Sequence, residues 1–375
     1  MHIASGDLWA GAEVQLFTLA KFQAARDDTQ LHVVLMNEGE LAERLRELPL
    51  SLTILDESQL SAWAIFLQLR QLMSSWQPEV VHTHRQKENV LGGLANTRLL
   101  SGRPISGLGV RTVHGDSEFA IRFWRKPAKW AFAKLDYCVG RFLQGLVISV
   151  SDELAEKLSA RFGGDKVRVV LNGVDVDALA AIDSGAFGEA HGDSFKHIGF
   201  VGRLEPVKRV DIFLQVAQLA AAEADNEWCF HVFGDGGLMP ELKQQAEDLG
   251  VAGLVSFHGH RSDIASCIKA MDALVMCSDH EGLPMTALEA VALDVPMVAH
   301  AVGGLPKLLE NGGGCVLASQ SPSDYFSVLK QMFNGELAAL DSSNTLAEQY
   351  RAKYNAECLI GLYRDKIASH KKARR

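Results

Sequence analysis

Short runs rich in valine and isoleucine recur along the chain, and a helix-like stretch follows most of them. In the first half the runs are LHVVLMN, LTILD, EVVHTH, GVRTVHG, GLVISVS and VRVVLNG. The rhythm restarts in the second half with HIGFVGRL, WCFHVFGDG, LVSFHG, ALVMCS, PMVAHAV and GGCVLAS. Strands that alternate with helices pair in parallel, and the helices cover both faces of the sheet. The pattern therefore predicts an α/β protein with two doubly wound, Rossmann-like parallel sheets.

The residues between the two series of runs have no apolar period. Residues 183–196 are rich in Gly, Ser, Ala and acidic side chains, a composition typical of a linker. The length of 375 residues also suits about two domains. We therefore expect an N-terminal domain over residues 1–182 and a second domain over residues 197–344. The sequence pattern of residues 345–375 predicts a C-terminal helix with a basic tail. We expect this helix to pack on the N-terminal domain.

Charge and cysteine content exclude several classes of protein. The formal net charge of −9 argues against bulk attraction to nucleic acid or to an anionic membrane and leaves only a local basic patch for such contacts. The six cysteines form no CxxC pair, so neither a zinc site nor a disulfide framework is predicted. The chain starts without the basic and apolar segments of a signal peptide and has no apolar run long enough to span a membrane. We therefore expect a cytoplasmic protein whose mature form begins at or near Met1.

The fold also predicts where a ligand binds. In doubly wound sheets, ligands bind outside the carboxyl ends of the strands. If the carboxyl ends of the two sheets face each other, the expected site is the cleft between the domains. The informative residues are then those in loops that directly follow strands.

The loop and helix after the run ALVMCS carry two glutamates. Glu281 precedes the predicted helix and Glu289 lies two turns along it, so both can face one ligand. Pro284 suits a first helical turn, and Gly282 permits a close backbone approach. The free N–H groups at a helix start attract anions. This context favours an anion site. The alternative is that Glu281 only caps the helix and that Glu289 is a solvated acid on its surface.

Two cations follow the first strand of the second domain. Arg203 and Lys208 lie in GRLEPVK, after Gly202, and can converge on a diphosphate. The alternative for Arg203 is an ion pair with a surface acid. In the first domain, the loop WAGAE contains Gly11 and also permits a close backbone approach, although small residues at such turns often serve packing.

Histidines and aspartates near strand ends in the first half suit more than one role. His82 and His84 share one face of a strand, where they suit either a metal pair or satisfied core positions. His114 is followed by a glycine that opens the loop, which favours a functional position. Asp175 and Asp177 form a DxD pattern that can hold a metal, but the preceding Asn-Gly favours a turn with a capping acid.

Two further segments are less specific. FGDGG, at residues 233–237, is an incomplete dinucleotide-binding pattern. The segment Arg122 to Trp130 interleaves cations with aromatics. It suits contact with an anionic membrane surface or an acidic acceptor, and equally a solvated helix.

Together these segments resemble the retaining glycosyltransferases of family 4, which have the two-domain GT-B fold and use nucleotide-sugar donors. The resemblance covers nearly the whole chain. It rests on AGAE at residues 10–13, TVHG at 112–115, VISVSDEL at 147–154, LNGVD at 171–175, GRLEPVK at 202–208, FGDGG at 233–237 and the E-x7-E motif from Glu281 to Glu289. Ala10 and Arg209 depart from the family pattern, at positions where glycine is common.

The resemblance implies a role for each candidate residue. Arg203 and Lys208 would neutralise the diphosphate of the sugar donor. Glu281 would lie beside the transferred sugar, and His114 would contact that sugar from the other domain. The other residues implied in binding the sugar donor are Gly11, Gly202, Arg261, Gly282, Leu283, Pro284, Met285, Thr286 and Glu289. Among them Glu289 would take the ribose hydroxyls, Arg261 would border the base, and the N–H groups from Leu283 to Thr286 would hold phosphate and sugar.

The implied reaction moves a sugar, we expect from a UDP-sugar, to a hydroxyl of a saccharide or lipid-linked acceptor with retention of anomeric configuration. The N-terminal domain would be the acceptor side. Apart from the nucleotide-sugar substrate no cofactor is implied, and no metal. The product would be a cell-surface polysaccharide, lipopolysaccharide or glycolipid. We expect the protein in the cytoplasm, with peripheral contact to the inner membrane through Arg122 to Trp130.

Other functions stay open from the residues alone. A sugar-nucleotide epimerase or a glycosyl phosphorylase can use the same scaffold. A noncatalytic protein that binds a sugar nucleotide would keep the same cations and carboxylates. A metal-dependent hydrolase would use His82, His84 and His114.

Overall fold

The computed structural model describes residues 1–372 apart from residues 8, 99–102, 105–106, 116–126, 186, 188–194, 224–226, 311 and 338–345. The chain divides into two compact units. The first unit contains Met1–Gly173 and Glu348–Arg375, and the second contains Val174–Ala347. Each unit has its own sheet and its own buried apolar cores.

The first unit is built on a seven-stranded sheet in which every neighbouring pair of strands is parallel. The strands of this unit are β1 (His2–Ala4), β2 (His32–Leu35), β3 (Ser51–Ile54), β4 (Val80–His84), β5 (Thr97–Arg98), β6 (Arg103–Pro104), β7 (Leu108–Val113), β8 (Leu146–Ser149) and β9 (Val167–Val169). The sheet order is β3-β2-β1-β4-β7-β8-β9, and β5 and β6 form a separate antiparallel pair. The helices before residue 173 are α1 (Gly11–Ala24), α2 (Glu40–Leu45), α3 (Ala62–Trp76), α4 (Gln86–Ala95), α5 (Pro127–Phe142) and α6 (Asp152–Phe162).

The second unit repeats this architecture with six parallel strands. Its strands are β10 (Lys196–Val201), β11 (Trp228–Phe233), β12 (Val255–Gly259), β13 (Ala273–Met276), β14 (Met297–His300) and β15 (Gly314–Leu317). The sheet order is β12-β11-β10-β13-β14-β15. The helices are α7 (Val176–Ala180), α8 (Val210–Ala221), α9 (Met239–Asp248), α10 (Ile264–Lys269), α11 (Met285–Ala292), α12 (Leu305–Leu309) and α13 (Pro322–Phe333).

The predicted strands form because their apolar side chains fill the cores on both faces of each sheet. Strands β2, β7, β8 and β13 are buried at every position, as expected of parallel strands covered by helices. Every run predicted as a strand overlaps an observed strand, which confirms the predicted pair of parallel α/β sheets. The pair β5–β6 was not predicted, since strands of two residues leave no recognisable period.

The end of the chain belongs to the first unit. A short 3-10 turn at Glu348–Tyr350 leads into α14 (Ala352–Lys372), which begins later than the predicted start near residue 345. Helix α14 packs against α1. The side-chain amide of Asn355 donates to the backbone carbonyl of Leu171 at 2.8 Å. This contact ties the helix to the last loop of the first unit.

The boundary between the units lies earlier than the predicted linker. It follows Gly173, whereas the linker was expected at residues 183–196, of which 186 and 188–194 lie outside the described residues. Helix α7 packs against α11, and the ammonium of Lys269 donates to the carbonyl of Ile182. These contacts place residues 174–182 in the second unit.

Among the described residues, none of the helices combines the length and the apolar character that crossing a membrane requires. The predicted membrane-contact segment, Arg122 to Trp130, lies outside the described residues up to residue 126. Helix α5 begins at Pro127, within this segment.

Candidate functional site

The loops that follow β10 and β13 bring one predicted cation and one predicted carboxylate together. The ammonium of Lys208 donates to Oε1 of Glu281 at 2.5 Å. The two side chains are 22% and 9% exposed. An ion pair with so little exposure is weakly screened by solvent, so its charges act strongly on any group bound beside them.

Arg209 holds these two loops against each other. Its guanidinium pairs with Asp211 at 2.9 Å and with Asp279 at 3.3 Å. The N–H of Asp279 donates to the carbonyl of Val207 at 2.9 Å. The bonds from Asp211 and Asp279 raise the pKa of the Arg209 guanidinium above its usual value.

The backbone of Arg209 explains why glycine is common at this position. Its φ of 51° and ψ of 47° lie in the left-handed region that glycine adopts at low cost. A charged side chain accepts that conformation here because its ion pairs join the two loops. The departure from the family pattern leaves Lys208 beside Glu281.

Two glycines after β14 support the loop that carries Glu281. The N–H of Gly304 donates to the carbonyl of Gly282 at 2.7 Å. Gly303 has a φ of +57°, and a Cβ built on it would overlap the carbonyl oxygens of Glu281 and Gly282. Residue 303 must therefore be glycine for Glu281 to keep its position. Sequence reasoning missed this role, although AVGG directly after a strand was a local signal.

FGDGG performs a packing role in the described structure. A Cβ on Gly234 would overlap the carbonyl of Gly202, and one on Gly236 would overlap the carbonyl of Leu204. The N–H of Leu204 also donates to the carbonyl of Asp235 at 2.9 Å. The glycines therefore let the loops after β10 and β11 lie against each other, which holds the segment with Gly202 in place.

Helix α11 starts beside Glu281 with Pro284 at its N-cap position. Within the described part of the chain, no side chain caps this end of the helix. Leu283 and Met285 are buried, while Pro284 and Thr286 are half-buried. The first N–H groups of a helix have no partner within the helix, so this end suits an anionic ligand.

Glu289, farther along α11, is half-buried. Burial raises the pKa of its carboxyl group to about 7. Among the described residues, none donates a hydrogen bond to this carboxylate. A carboxylate with unused acceptor capacity suits a ligand that offers hydroxyl groups.

Arg203 and Arg261 follow strands β10 and β12, and each forms an ion pair with a carboxylate other than Glu281. Arg203 is 55% exposed and pairs with Glu205 at 2.8 Å. This is the ion pair with a surface acid that the sequence offered as the alternative role of Arg203. Arg261, after β12, pairs with Asp263 at 2.6 Å. Exposed pairs of this kind contribute only about 0–1 kcal/mol, so a diphosphate can displace the carboxylate of Glu205 from Arg203.

In the first unit, Gly11 is the exposed first residue of α1. The same turn carries Glu13, whose side chain is buried and pairs with Arg85 at 2.5 Å. Arg85 follows β4 directly and has a φ of 82°. Non-glycine residues with such a backbone are uncommon and cluster at functional sites. Sequence reasoning missed Arg85, because a single arginine after a strand has no distinguishing pattern.

His114 follows β7 and is linked by hydrogen bonds to other histidines. Nδ1 of His84 lies 3.4 Å from Nε2 of His114, and Nε2 of His84 lies 2.9 Å from Nδ1 of His2. His82 lies beside them, with its ring nitrogens 2.5 Å from the hydroxyl of Tyr363 and 2.7 Å from that of Thr112. His2 was not predicted.

The atoms of His2, His82 and His84 are close enough to hold a metal ion. However, both ring nitrogens of each already take part in a hydrogen bond. A metal needs a free lone pair from one nitrogen of each ligand, so it would displace one of these hydrogen bonds at each histidine. The described geometry therefore favours satisfied core histidines over a metal centre.

The DxD pattern forms a turn and a helix cap. Oδ1 of Asp175 accepts from the N–H of Ala178 at 3.1 Å, so Asp175 is the N-cap of α7. The sequence predicted this capping role as the alternative to a metal ligand.

Comparison with known protein families gives two matches that together cover most of the chain. Residues 9–178 match the domain family described as Glycosyltransferase Family 4. Residues 195–334 match the domain family described as Glycosyl transferases group 1.

Curated relatives are similar over part of their length. The UDP-Gal:alpha-D-GlcNAc-diphosphoundecaprenol alpha-1,3-galactosyltransferase of Escherichia coli is 28% identical over 65% of this chain and 63% of its own. The poly(ribitol-phosphate) alpha-N-acetylglucosaminyltransferase of Staphylococcus aureus (strain COL) is 24% identical over 51% of this chain and 40% of its own. The chain therefore spans less than two thirds of either relative.

Among solved structures, HepE of Anabaena in complex with UDP and glucose is similar over nearly the whole chain. The TM-score is 0.79 at 20% sequence identity, and the superposition covers 96% of this chain and 98% of HepE. At this identity the similarity shows a shared fold.

Proposed function

Because this chain belongs to glycosyltransferase family 4 and has the GT-B fold, we propose that it transfers a sugar from a UDP-sugar to a hydroxyl group of an acceptor. The acceptor is a saccharide or a lipid-linked molecule, and the product is a cell-surface polysaccharide or glycolipid. The relatives support this class, since they act on a diphosphoundecaprenol-linked sugar and on poly(ribitol-phosphate).

The pair of Lys208 with Glu281 is the observation that carries the proposal. It lies next to the uncapped start of α11, where backbone N–H groups need acceptors. An ammonium and a helix start form a site for a diphosphate dianion. Arg203 adds a second cation once it leaves its exposed pair with Glu205.

These groups act on the step that breaks the sugar–phosphate bond. The electron pair of that bond passes to the leaving diphosphate, and the acceptor oxygen bonds to the same anomeric carbon. The proton of the acceptor hydroxyl passes to the departing phosphate. Fixed positive charge stabilises the growing negative charge, and loss of one such group typically costs about 3 kcal/mol.

The remaining contacts divide between nucleoside and sugar. Glu289 binds the ribose hydroxyls through its half-buried carboxylate. Arg261 borders the base. Glu281 and His114 contact the transferred sugar. Gly11, Gly202 and Gly282 permit close approach of the backbone to the sugar donor.

We propose retention of configuration, with attack and departure on the same face of the sugar. No side chain is assigned as a separate nucleophile. The reaction is proposed to run without a metal, which agrees with Asp175 as a helix cap.

Peripheral membrane contact is proposed through the segment Arg122 to Trp130 and the helix that continues it. In α5, Phe132, Leu135 and Phe142 are exposed, the last at 72%. They recur at helical spacing, and lysines and an arginine are interspersed with them. Such a surface suits anionic lipid. If the protein does not cosediment with anionic vesicles at low salt, this part of the proposal is wrong.

The test of the proposed function combines nucleotide binding with product analysis. A ligand that binds the native state raises apparent stability by about 2.7 kcal/mol at a concentration of 100 Kd. We expect UDP and UDP-sugars to raise the melting temperature more than GDP or ADP. Binding to none of these nucleotides would contradict the proposal.

Product analysis separates transfer from the alternative activities. With a UDP-sugar and a lipid-linked or polyol phosphate acceptor, the sugar should appear on the acceptor. An epimerase would change the sugar without an acceptor, and a phosphorylase would need inorganic phosphate. A binding protein would leave the UDP-sugar unchanged.

A further inference from the structure

A buried chain of hydrogen bonds runs through the sheet of the first unit to His114. It starts at Gln23 on α1, passes His2 on β1 and His84 on β4, and ends at the loop after β7. The successive distances are 2.9, 2.9 and 3.4 Å. The three strands are neighbours in the sheet. Gln23, His2 and His84 are each at most 2% exposed.

The orientation of the Gln23 amide sets the direction of the chain. In the described orientation, Oε1 of Gln23 lies against Nε2 of His2 and accepts, so that nitrogen of His2 carries a proton. A neutral imidazole has one N–H and one lone pair, so Nδ1 of His2 accepts from Nε2 of His84. In the same way, Nδ1 of His84 accepts from Nε2 of His114.

Burial favours the neutral form of these imidazoles, in which each ring has one N–H and one lone pair. Burial lowers the pKa of His2 and of His114 to about 3 and holds that of His84 well below its usual value. Charged neighbours act in the same direction, since Arg85 and Arg111 also lower the pKa of His114.

We propose that Gln23, His2 and His84 are positioning residues that keep His114 in one tautomer, with its proton on Nε2 and the lone pair of Nδ1 available to a ligand. Among the described residues, none forms a hydrogen bond with Nδ1 of His114. His114 thus accepts a hydrogen bond from a sugar hydroxyl and does not donate one from that atom. The identity of this ligand rests on the proposed function, whereas the tautomer does not.

Two consequences separate this role from general packing. A sugar hydroxyl at this position must donate, so replacing it by fluorine, which cannot donate, should weaken transfer by about tenfold. The free nucleotide UDP lacks the sugar, so its affinity should not depend on the chain of histidines.

The test is nitrogen NMR of the full-length protein, which distinguishes protonated from unprotonated ring nitrogens. We expect Nε2 of His114 to be protonated and Nδ1 unprotonated. In Gln23→Leu the fixed acceptor is lost, and both tautomers of His114 should appear. Gln23→Glu keeps an acceptor at that position and should restore the single tautomer.

His82→Gln is the matched control for packing. His82 is fully buried and stacks on His84 with ring centroids 4.5 Å apart. Its own hydrogen bonds go to Thr112 and to Tyr363, which also contacts Gln23, and not to His2, His84 or His114. We expect this variant to keep the tautomer of His114. Gln23→Leu should lower kcat/KM for sugar transfer by about tenfold while the Kd for UDP is unchanged.

A proton on Nδ1 of His114 in the wild-type protein would overturn the proposal, as would a Gln23→Leu spectrum identical to it. If Gln23→Leu proves unfolded, the spectra of the wild type and of Gln23→Glu still show which tautomer His114 adopts. A protein with the expected tautomer but without sugar transfer would contradict the proposed function and leave the chain of histidines intact.

Discussion

The two sheets carry different chemistry at the ends of their strands. In the first unit, neutral imidazoles pass hydrogen bonds from strand to strand and end at His114. In the second unit, ammonium, guanidinium and carboxylate groups pair between loops, with Lys208 and Glu281 at the centre. Neutral groups set direction and tautomer, whereas fixed charges stabilise a charged leaving group. Hydrogen bonds between imidazoles therefore characterise the strand ends of the first unit, and ion pairs between loops characterise those of the second.

The largest expected effect is that of Lys208→Ala. Removing the ammonium takes away leaving-group stabilisation of about 3 kcal/mol, so kcat/KM should fall by about a hundredfold. Lys330→Ala is the matched control, because its ammonium also pairs with a glutamate, Glu223, at 2.9 Å but on the exposed surface. Steady-state kinetics with a UDP-sugar measures both. Equal rates in the two variants would exclude the Lys208 ammonium from stabilising the leaving diphosphate.

Gly303→Ala should have the next largest effect. The new Cβ would overlap the carbonyl of Glu281 at a φ of +57°, and we expect a loss of about 2 kcal/mol in unfolding free energy together with reduced transfer. Gly253→Ala is the control, since no atom lies within 4 Å of a Cβ built there. Urea unfolding compares the two. A neutral effect of Gly303→Ala would show that the loop tolerates displacement.

Acid should destabilise the first unit through its histidines. Their pKa values in the folded state lie below the unfolded value of 6.5, and they reach about 3 for His2 and His114. The stability they contribute is therefore fully present above pH 6.5 and is lost as the pH falls toward 3. Each histidine contributes a slope of up to about 1.4 kcal/mol per pH unit.

Replacing one histidine tests this slope. His82→Gln removes one group whose pKa burial holds well below its usual value. Urea unfolding between pH 6.5 and 5 should therefore show a shallower dependence in the variant than in the wild type. Parallel curves would mean that His82 is protonated in the folded protein.

The smallest expected effect concerns Glu289, whose carboxyl has a pKa raised to about 7 by burial. If the carboxylate form accepts the ribose hydroxyls, the affinity for UDP should be about tenfold lower at pH 6 than at pH 8. Titration calorimetry measures this ratio. In Glu289→Gln the affinity for UDP should vary with pH only through the titration of UDP itself. If the variant shows the same change in affinity between pH 6 and pH 8 as the wild type, Glu289 does not belong to the site.

The sheets were predictable from sequence because every parallel strand leaves an apolar run. The positions of Lys208 and Glu281 in loops after strands were also predictable. Their ion pair was not, because they are 73 residues apart and the path of the loops between them has no sequence signature. Nor was the link through Arg209, whose backbone conformation and ion pairs depend on both loops.

The chain that ends at His114 was missed for a different reason. His2 and His84 are 82 residues apart and meet only because β1 and β4 are neighbours. A signal did exist, since a polar residue in a buried strand requires a hydrogen-bond partner. The second sheet repeats it, with His197, His231 and His258 joined at 3.0 Å each on neighbouring strands.

A crystal structure of the protein with UDP tests the proposed diphosphate site most directly. We expect the diphosphate to lie within hydrogen-bond distance of the Lys208 ammonium and of the first backbone N–H groups of α11. A nucleotide bound away from both would contradict it.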